Sequence, residues 1–174
     1  QKSFRAFAKL ASFGVLANGD DLHTAQAMEG VDHITFGLGQ HNRVRAENMC
    51  PDWRSFDVIC DGSFYCHVDL SVFGRHNLLN ALAAAGTAWL LGIDREAVSR
   101  GLAGFHGARR RMEFKGEYNG ALVYDDYAHH PEEIKQSILS MRALYEGKKL
   151  TAIFQPHLYT RTRDFYQEFA ESLS

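Results

Sequence analysis

Apolar residues fall at helical spacing at the start of the chain, where Phe4, Phe7, Ala8 and Ala11 predict an amphipathic helix over residues 2–11. A short apolar run at 14–17 predicts a buried strand. Asn18-Gly19-Asp20-Asp21 reads as a turn, 22–28 as a short helix and 33–36 as a second strand. Stretches 43–49, 55–61 and 63–71 follow as strands, the last two joined by a tight hairpin at Asp61-Gly62. The strongest helical pattern spans 78–91, rich in Leu and Ala and closed by Gly92, and Asp94 caps another helix to about Leu102.

The pattern then changes. Gly101, Gly104, Gly107, Gly116 and Gly120 fall close together around Arg109-Arg110-Arg111, which predicts a domain boundary near Gly104 dividing 1–103 from 104–174. Beyond it, 111–118 and 121–124 read as strands around a type I′ turn at Asn119-Gly120. Pro131 opens a helix to about 145, with Glu132 and Glu133 at its positive end. A buried strand at 150–154 and a helix at 163–173, with Phe165, Phe169 and Leu173 on one face, complete a β-α-β-α unit. The expected class is α/β.

A hydrophobic content of 45% is enough for real cores, and no apolar run reaches the length of a membrane span. The net charge of −2 offers no global field for nucleic acid or an anionic membrane. Cys50, Cys60 and Cys66 are odd in number and lack metal-ligand spacing, which reads as reduced thiols and a cytoplasmic location. The start at Gln1-Lys2-Ser3, without a methionine or a signal-peptide core, reads as a piece of a longer chain.

Chemistry concentrates where the predicted strand at 121–124 ends. Asp125, Asp126, Tyr127, His129 and His130 occupy one turn, where burial is costly unless the groups are paired. In a right-handed β-α-β unit the C-terminal ends of both strands share one edge. The loop at 125–130 and the loop holding His157 and Arg161 are therefore expected to meet in one crevice. Histidine can take a proton near neutral pH, and Arg161 offers a fork for a carboxylate. Gly74 to Asn80 is a second candidate, a glycine loop at a helix N-terminus with Asn77 and Asn80 on one face. Those carboxamides either read a base or ribose edge or, in the case of Asn77, cap the helix. The three arginines are either a solvated face or a phosphate contact at the hinge.

GRHNLLNALAAAGTAWLLGI from Gly74, FHGARRRMEF from Phe105, DDYAHHPEEI from Asp125 and FQPHLYTRT from Phe154, in this order, resemble the Mur ligase family, and within it the alanine-adding branch. The resemblance runs from Gly74 to the C-terminus. It implies the end of a central ATPase-type α/β domain followed by the first half of a Rossmann-like C-terminal domain. It also implies an ATP-dependent ligase in which ATP phosphorylates the lactyl carboxylate of UDP-N-acetylmuramate and the amine of L-alanine attacks the acyl phosphate. By motif matching, His76, Asn77 and Asn80 would contact adenine, Asp126 the ribose, and Tyr127 would pack near the base. Arg111, with Arg110 as second choice, would reach the γ-phosphate, and His129, His157 and Arg161 would receive alanine. The family's Gly-Lys-Thr phosphate loop is not in this sequence. The resemblance implies that it, the UDP-binding domain and most Mg2+ ligands belong to the rest of the parent chain, leaving this fragment inactive alone. Leu158 stands where some members carry a second arginine, which throws more of the carboxylate binding onto Arg161.

Three rival readings stand beside it. One is the related ligase that recycles murein tripeptide, which shares the HHP loop but not the FQPH run. Another is a nucleotide-binding module without catalysis. The third is a metal-dependent hydrolase using His129, His130 and His157, although adjacent histidines seldom aim at one ion.

Overall fold

A computed structural model describes residues 1–174, which divide into two compact units, Gln1–Phe105 and His106–Ser174. No helix is long and apolar enough to cross a membrane.

The first unit runs α1 (Lys2–Ala8), β1 (Leu16–Asn18), α2 (Leu22–Ala27), β2 (Ile34–Gly37), β3 (Val44–Glu47), β4 (Ser55–Cys60), β5 (Ser63–Asp69), α3 (Arg75–Leu90) and α4 (Arg95–Ala103). Its sheet has the order β1-β2-β3-β4-β5. The β1–β2 and β2–β3 pairs are parallel, and β3–β4 and β4–β5 antiparallel. Val44, Phe56, Val58 and Val68 on the sheet meet Leu78, Leu82 and Ala85 on α3, all fully buried, and this is the core. Gly86 lets α3 approach the sheet, because a Cβ there would lie 3.1 Å from both Leu16 Cδ2 and Val44 Cγ1. Asp21 and Asp94 cap α2 and α4 by accepting from Thr24 N (2.6 Å) and Ala97 N (3.0 Å). Asp61 and Gly62 both have positive φ, at 47° and 79°, as a type I′ hairpin turn requires.

Three expectations change here. The first helix ends at Ala8, and Phe4 and Phe7 stand 69% and 76% exposed, so only Ala8 faces a core. The first strand starts at Leu16, two residues late. The strongest helix begins three residues early at Arg75, because the backbone N–H groups of Asn77 and Leu78 already bond the Gly74 carbonyl.

The second unit opens with the hairpin β6 (Glu113–Tyr118) and β7 (Ala121–Asp125), turning at Asn119 (φ 48°) and Gly120 (φ 80°). Then come α5 (Pro131–Leu144), α6 (Tyr159–Asp164) and α7 (Tyr166–Leu173). Residues 150–154 do not form the expected strand, so the parallel β-α-β ladder is not made. A parallel strand is held by cover on both faces, whereas Ile153 is 96% exposed. The segment is anchored instead by side chains, with Phe154 stacked on Phe169 at 5.2 Å. The single helix expected over 163–173 is two helices. Phe165 breaks it (φ −128°, ψ 26°), and its ring packs against His130 at 5.1 Å.

Candidate functional site

In the second unit, residues 125–129 and 150–157 line one cavity of about 670 Å³ together with Arg110 and part of α5. Convergence of the two loops therefore survives the loss of the ladder. A hydrogen bond from Arg161 Nη1 to the His129 carbonyl (3.4 Å) ties α6 to the other side across 32 positions of sequence.

Asp126 fixes the first loop. Its Oδ2 accepts from Met112 N (3.1 Å) and Ser137 Oγ (3.2 Å), and its Oδ1 from Ala128 N (2.7 Å). An ionised carboxylate offers about four acceptor positions, so roughly one remains for a ligand hydroxyl. Those bonds also hold the turn before β6, where Arg110 and Met112 adopt positive φ of 57° and 50°. The Tyr127 amide donates to the Arg110 carbonyl at 2.6 Å, closing the same turn.

Tyr127 presents a half-exposed ring with the Arg110 guanidinium 4.9 Å from its centroid and that of Arg111 at 6.0 Å. Arg110 also pairs with Asp125 at 3.3 Å, and it is Arg110 that lines the cavity. Of the two arginines weighed from the sequence, Arg110 is thus the one brought to the site's wall, and Arg111 stands beside it over the Tyr127 ring.

Glu133 organises the histidines. Its Oε2 accepts from His129 N (3.0 Å) and His130 N (3.2 Å), capping α5. Burial opposes its charge, but the two N–H groups, the nearby His129 ring and Arg111 outweigh that and hold its carboxyl below the ordinary glutamate value. His129 Nδ1 lies 2.9 Å from the Tyr127 carbonyl, and its ring meets Tyr127 edge-on at 5.0 Å. His157 lines the cavity from the opposite loop. His130 turns away to pack on Phe165. Beneath the site, Tyr124 and Tyr145 share a hydroxyl–hydroxyl bond. Burial, then that bond, pushes the Tyr124 phenol up to about 12.

His76, Asn77 and Asn80 lie on α3 in the first unit. Asn77 donates to the Phe73 carbonyl at 2.8 Å and is half-buried, and Asn80 is exposed. His76 is half-buried at the helix start. No group of three or more His, Cys, Asp or Glu is arranged to hold a metal ion. The three histidines of the rival hydrolase reading are not a ligand set either, since His130 is occupied by packing.

Sequence reasoning read Glu133 only as a helix-dipole charge and did not find its bonds to His129 and His130. The available signal was its place three residues after the residue that caps α5, the spacing of a capping box. A second array was also missed, because it depends on strand register. His67 Nδ1 meets Asp57 at 2.6 Å and its Nε2 meets Ser55 Oγ at 3.2 Å across β4–β5. Asp69 also approaches that Nε2 at 3.4 Å, and the bond to Asp57 heads the influences that raise the His67 pKa. The ring is therefore the centre of an ion-pair ladder rather than a base for Ser55.

Two family models match the chain, the Mur ligase middle domain over residues 3–88 and the Mur ligase glutamate ligase domain over residues 110–174. The chain belongs to the Mur ligase family. It is 44% identical over 162 residues to the UDP-N-acetylmuramate–L-alanine ligase of Phocaeicola vulgatus, covering 91% of this chain and 32% of that protein. The corresponding ligase of Caldanaerobacter subterraneus is 40% identical over 179 residues, covering 99% and 39%. Among solved structures, UDP-N-acetylmuramate–alanine ligase from Thermotoga maritima matches with a TM-score of 0.77 and 27% identity, over 99% of this chain and 38% of that one. A murein peptide ligase from Psychrobacter arcticus matches with a TM-score of 0.65 at 24% identity and shares the fold. The chain spans about a third of the length of the curated relatives it matches.

Proposed function

We propose that this Mur ligase segment belongs to an enzyme that joins L-alanine to the lactyl carboxylate of UDP-N-acetylmuramate in the cytoplasm, as a step in building the peptidoglycan precursor. The observation that carries this reading is that His129 and His157 line one cavity while Arg161 bonds the His129 carbonyl, in a chain 40–44% identical to ligases named for that reaction. In the proposed reaction the γ-phosphoryl group of ATP passes to the lactyl carboxylate. The alanine amine attacks the acyl phosphate, and the tetrahedral intermediate expels phosphate.

Within this chain, residues 1–103 would supply the end of the ATP-binding domain and 104–174 the start of the amino-acid-binding domain. Asn77 and Asn80, with His76, would read the adenine edge, and Tyr127 with its stacked arginines would present an aromatic face and positive charge to the nucleotide. Arg111 or Arg110 would meet the γ-phosphate, where charge builds as it transfers. Asp126 has one acceptor position left for a ribose hydroxyl. Arg161 would grip the alanine carboxylate beside His129 and His157. Mg2+ would neutralise phosphate charge, and its ligands are expected mainly in the rest of the parent chain.

The test uses the whole ligase. His157→Ala or Arg161→Ala should raise the KM for alanine at least tenfold and leave that for ATP within about twofold, because a charged bond to the substrate carboxylate is worth about 1.5–3 kcal/mol. Equal effects on both substrates would overturn the assignment.

A further inference from the structure

We infer that Glu133 is a positioning residue that, with the Tyr127 carbonyl, fixes the His129 imidazole in the Nδ1–H tautomer, leaving Nε2 to take the proton of the incoming amine. The inference rests on the functional reading above for the amine's identity. A carbonyl oxygen has no hydrogen to give, so the 2.9 Å contact between the Tyr127 carbonyl and His129 Nδ1 requires that Nδ1 carry the proton. The Glu133 carboxylate lies 3.5 Å from the same nitrogen and favours a proton there. The same carboxylate oxygen grips the His129 and His130 backbone amides, so the residue that sets the ring's electrostatics also sets its position. Arg161 holds the His129 carbonyl from the other loop, and the Tyr127 ring abuts the imidazole edge-on. His129 is thus fixed from both sides and at both levels, backbone and ring.

No comparable bond sets the ring of His157, which is exposed on its loop. A proton acceptor must present a lone pair in a fixed direction, with the other nitrogen committed. His129 meets that requirement and leaves His157 to bind. In the proposed step the ammonium N–H bond breaks and its proton goes to Nε2. The freed nitrogen lone pair forms the C–N bond to the acyl carbon, and the imidazolium left behind has both nitrogens protonated beside the Glu133 carboxylate.

The tautomer can be read directly in this chain by long-range proton–nitrogen correlation on 15N-histidine-labelled protein at pH 8. Free imidazole side chains favour the Nε2–H form, so a predominantly Nδ1–H pattern at His129 is the expected and diagnostic result. Glu133→Gln keeps an oxygen for the two amides and removes the charge, and Glu133→Ala removes both. Each should shift His129 toward the Nε2–H form, the alanine variant further. A wild-type ring protonated on Nε2, or a tautomer unchanged in both variants, would overturn the inference. In the whole ligase, Glu133→Gln should lower kcat about tenfold with the KM for ATP unchanged. The tautomer is measured without substrate, so a whole ligase that ignores alanine overturns the functional reading while the spectrum still judges Glu133.

Discussion

Asp126→Ala should loosen the loop that carries the candidate site, by an amount that follows from its bonds. The wild-type carboxylate accepts from two backbone amides and one hydroxyl. Hydrogen bonds to a charged group contribute about 1.5–3 kcal/mol when removal leaves the partner unsatisfied. Asp126 is half-buried, so water can replace part of the loss and the low end applies to each amide. The 3.2 Å hydroxyl contact adds a few tenths at most. The cost is about 3 kcal/mol, a little over a hundredfold in the opening equilibrium. The turn it holds is sensitive, because Arg110 and Met112 sit at positive φ, which costs a non-glycine residue about 1 kcal/mol or more. Amide hydrogen exchange at Met112 and Ala128 reads the effect, and both should exchange roughly a hundredfold faster. Asp126→Asn should cost about half as much, since its amide oxygen can still serve Ala128 while its NH2 faces the Met112 N–H. Protection within threefold of wild type in Asp126→Ala would refute the argument that this carboxylate fixes the loop.

Gly86→Ala in α3 sets a helix-propensity gain of about 1 kcal/mol against overpacking of about 1–3 kcal/mol. The new Cβ meets stiff, fully buried Val44 at 3.1 Å, so the variant should be destabilised by about 1 kcal/mol in urea titration followed through Trp53 and Trp89, and Gly86→Val by clearly more. A stabilised Gly86→Ala would show that the α3–sheet contact yields freely. The His67 ladder should make stability depend on pH. The bond to Asp57 heads the causes that raise the His67 pKa in the folded state, so its contribution is full below about pH 6.5 and fades as pH rises through the raised value. The Asp57 pKa is lowered by the bonds from Asn48 and His67, so its share is full above about pH 3.9 and fades as pH falls through the lowered value. The urea midpoint of His67→Gln should therefore lie furthest below wild type near pH 5 and converge with it by pH 9. A gap that widens with pH would reverse the sign of the argument.

Much of the architecture is written locally. Helix caps at Asp21 and Asp94, the two type I′ turns at Asp61-Gly62 and Asn119-Gly120, and the Leu/Ala face of α3 depend on residues a few positions apart. Short-range chemistry of that kind is legible in one dimension. The polar loop after β7 was legible for the same reason, since titratable groups at a strand end stand out from any neutral turn. Its partnership with His157 and Arg161 was anticipated through a parallel ladder that is not formed, and the loops meet through Arg161, Phe154 and the packing of α5 on α7 instead.

Other features depend on contacts between distant positions. Burial separates Ala8 from Phe4 and Phe7 on one helix, although all three fit the same apolar stripe, because only the fold says which side has a neighbour. Strand register alone aligns Ser55, Asp57 and His67. At the site, the sequence by itself determined which side chains crowd the loop from Asp125 to Glu133. The tertiary structure decided what each does there. Asp126 braces the turn, Arg110 stacks on Tyr127, His130 packs away, and Glu133 aims His129. The physical reason is that a hydrogen bond depends on direction and distance to within fractions of an ångström, and neither is encoded until the chain has folded back upon itself.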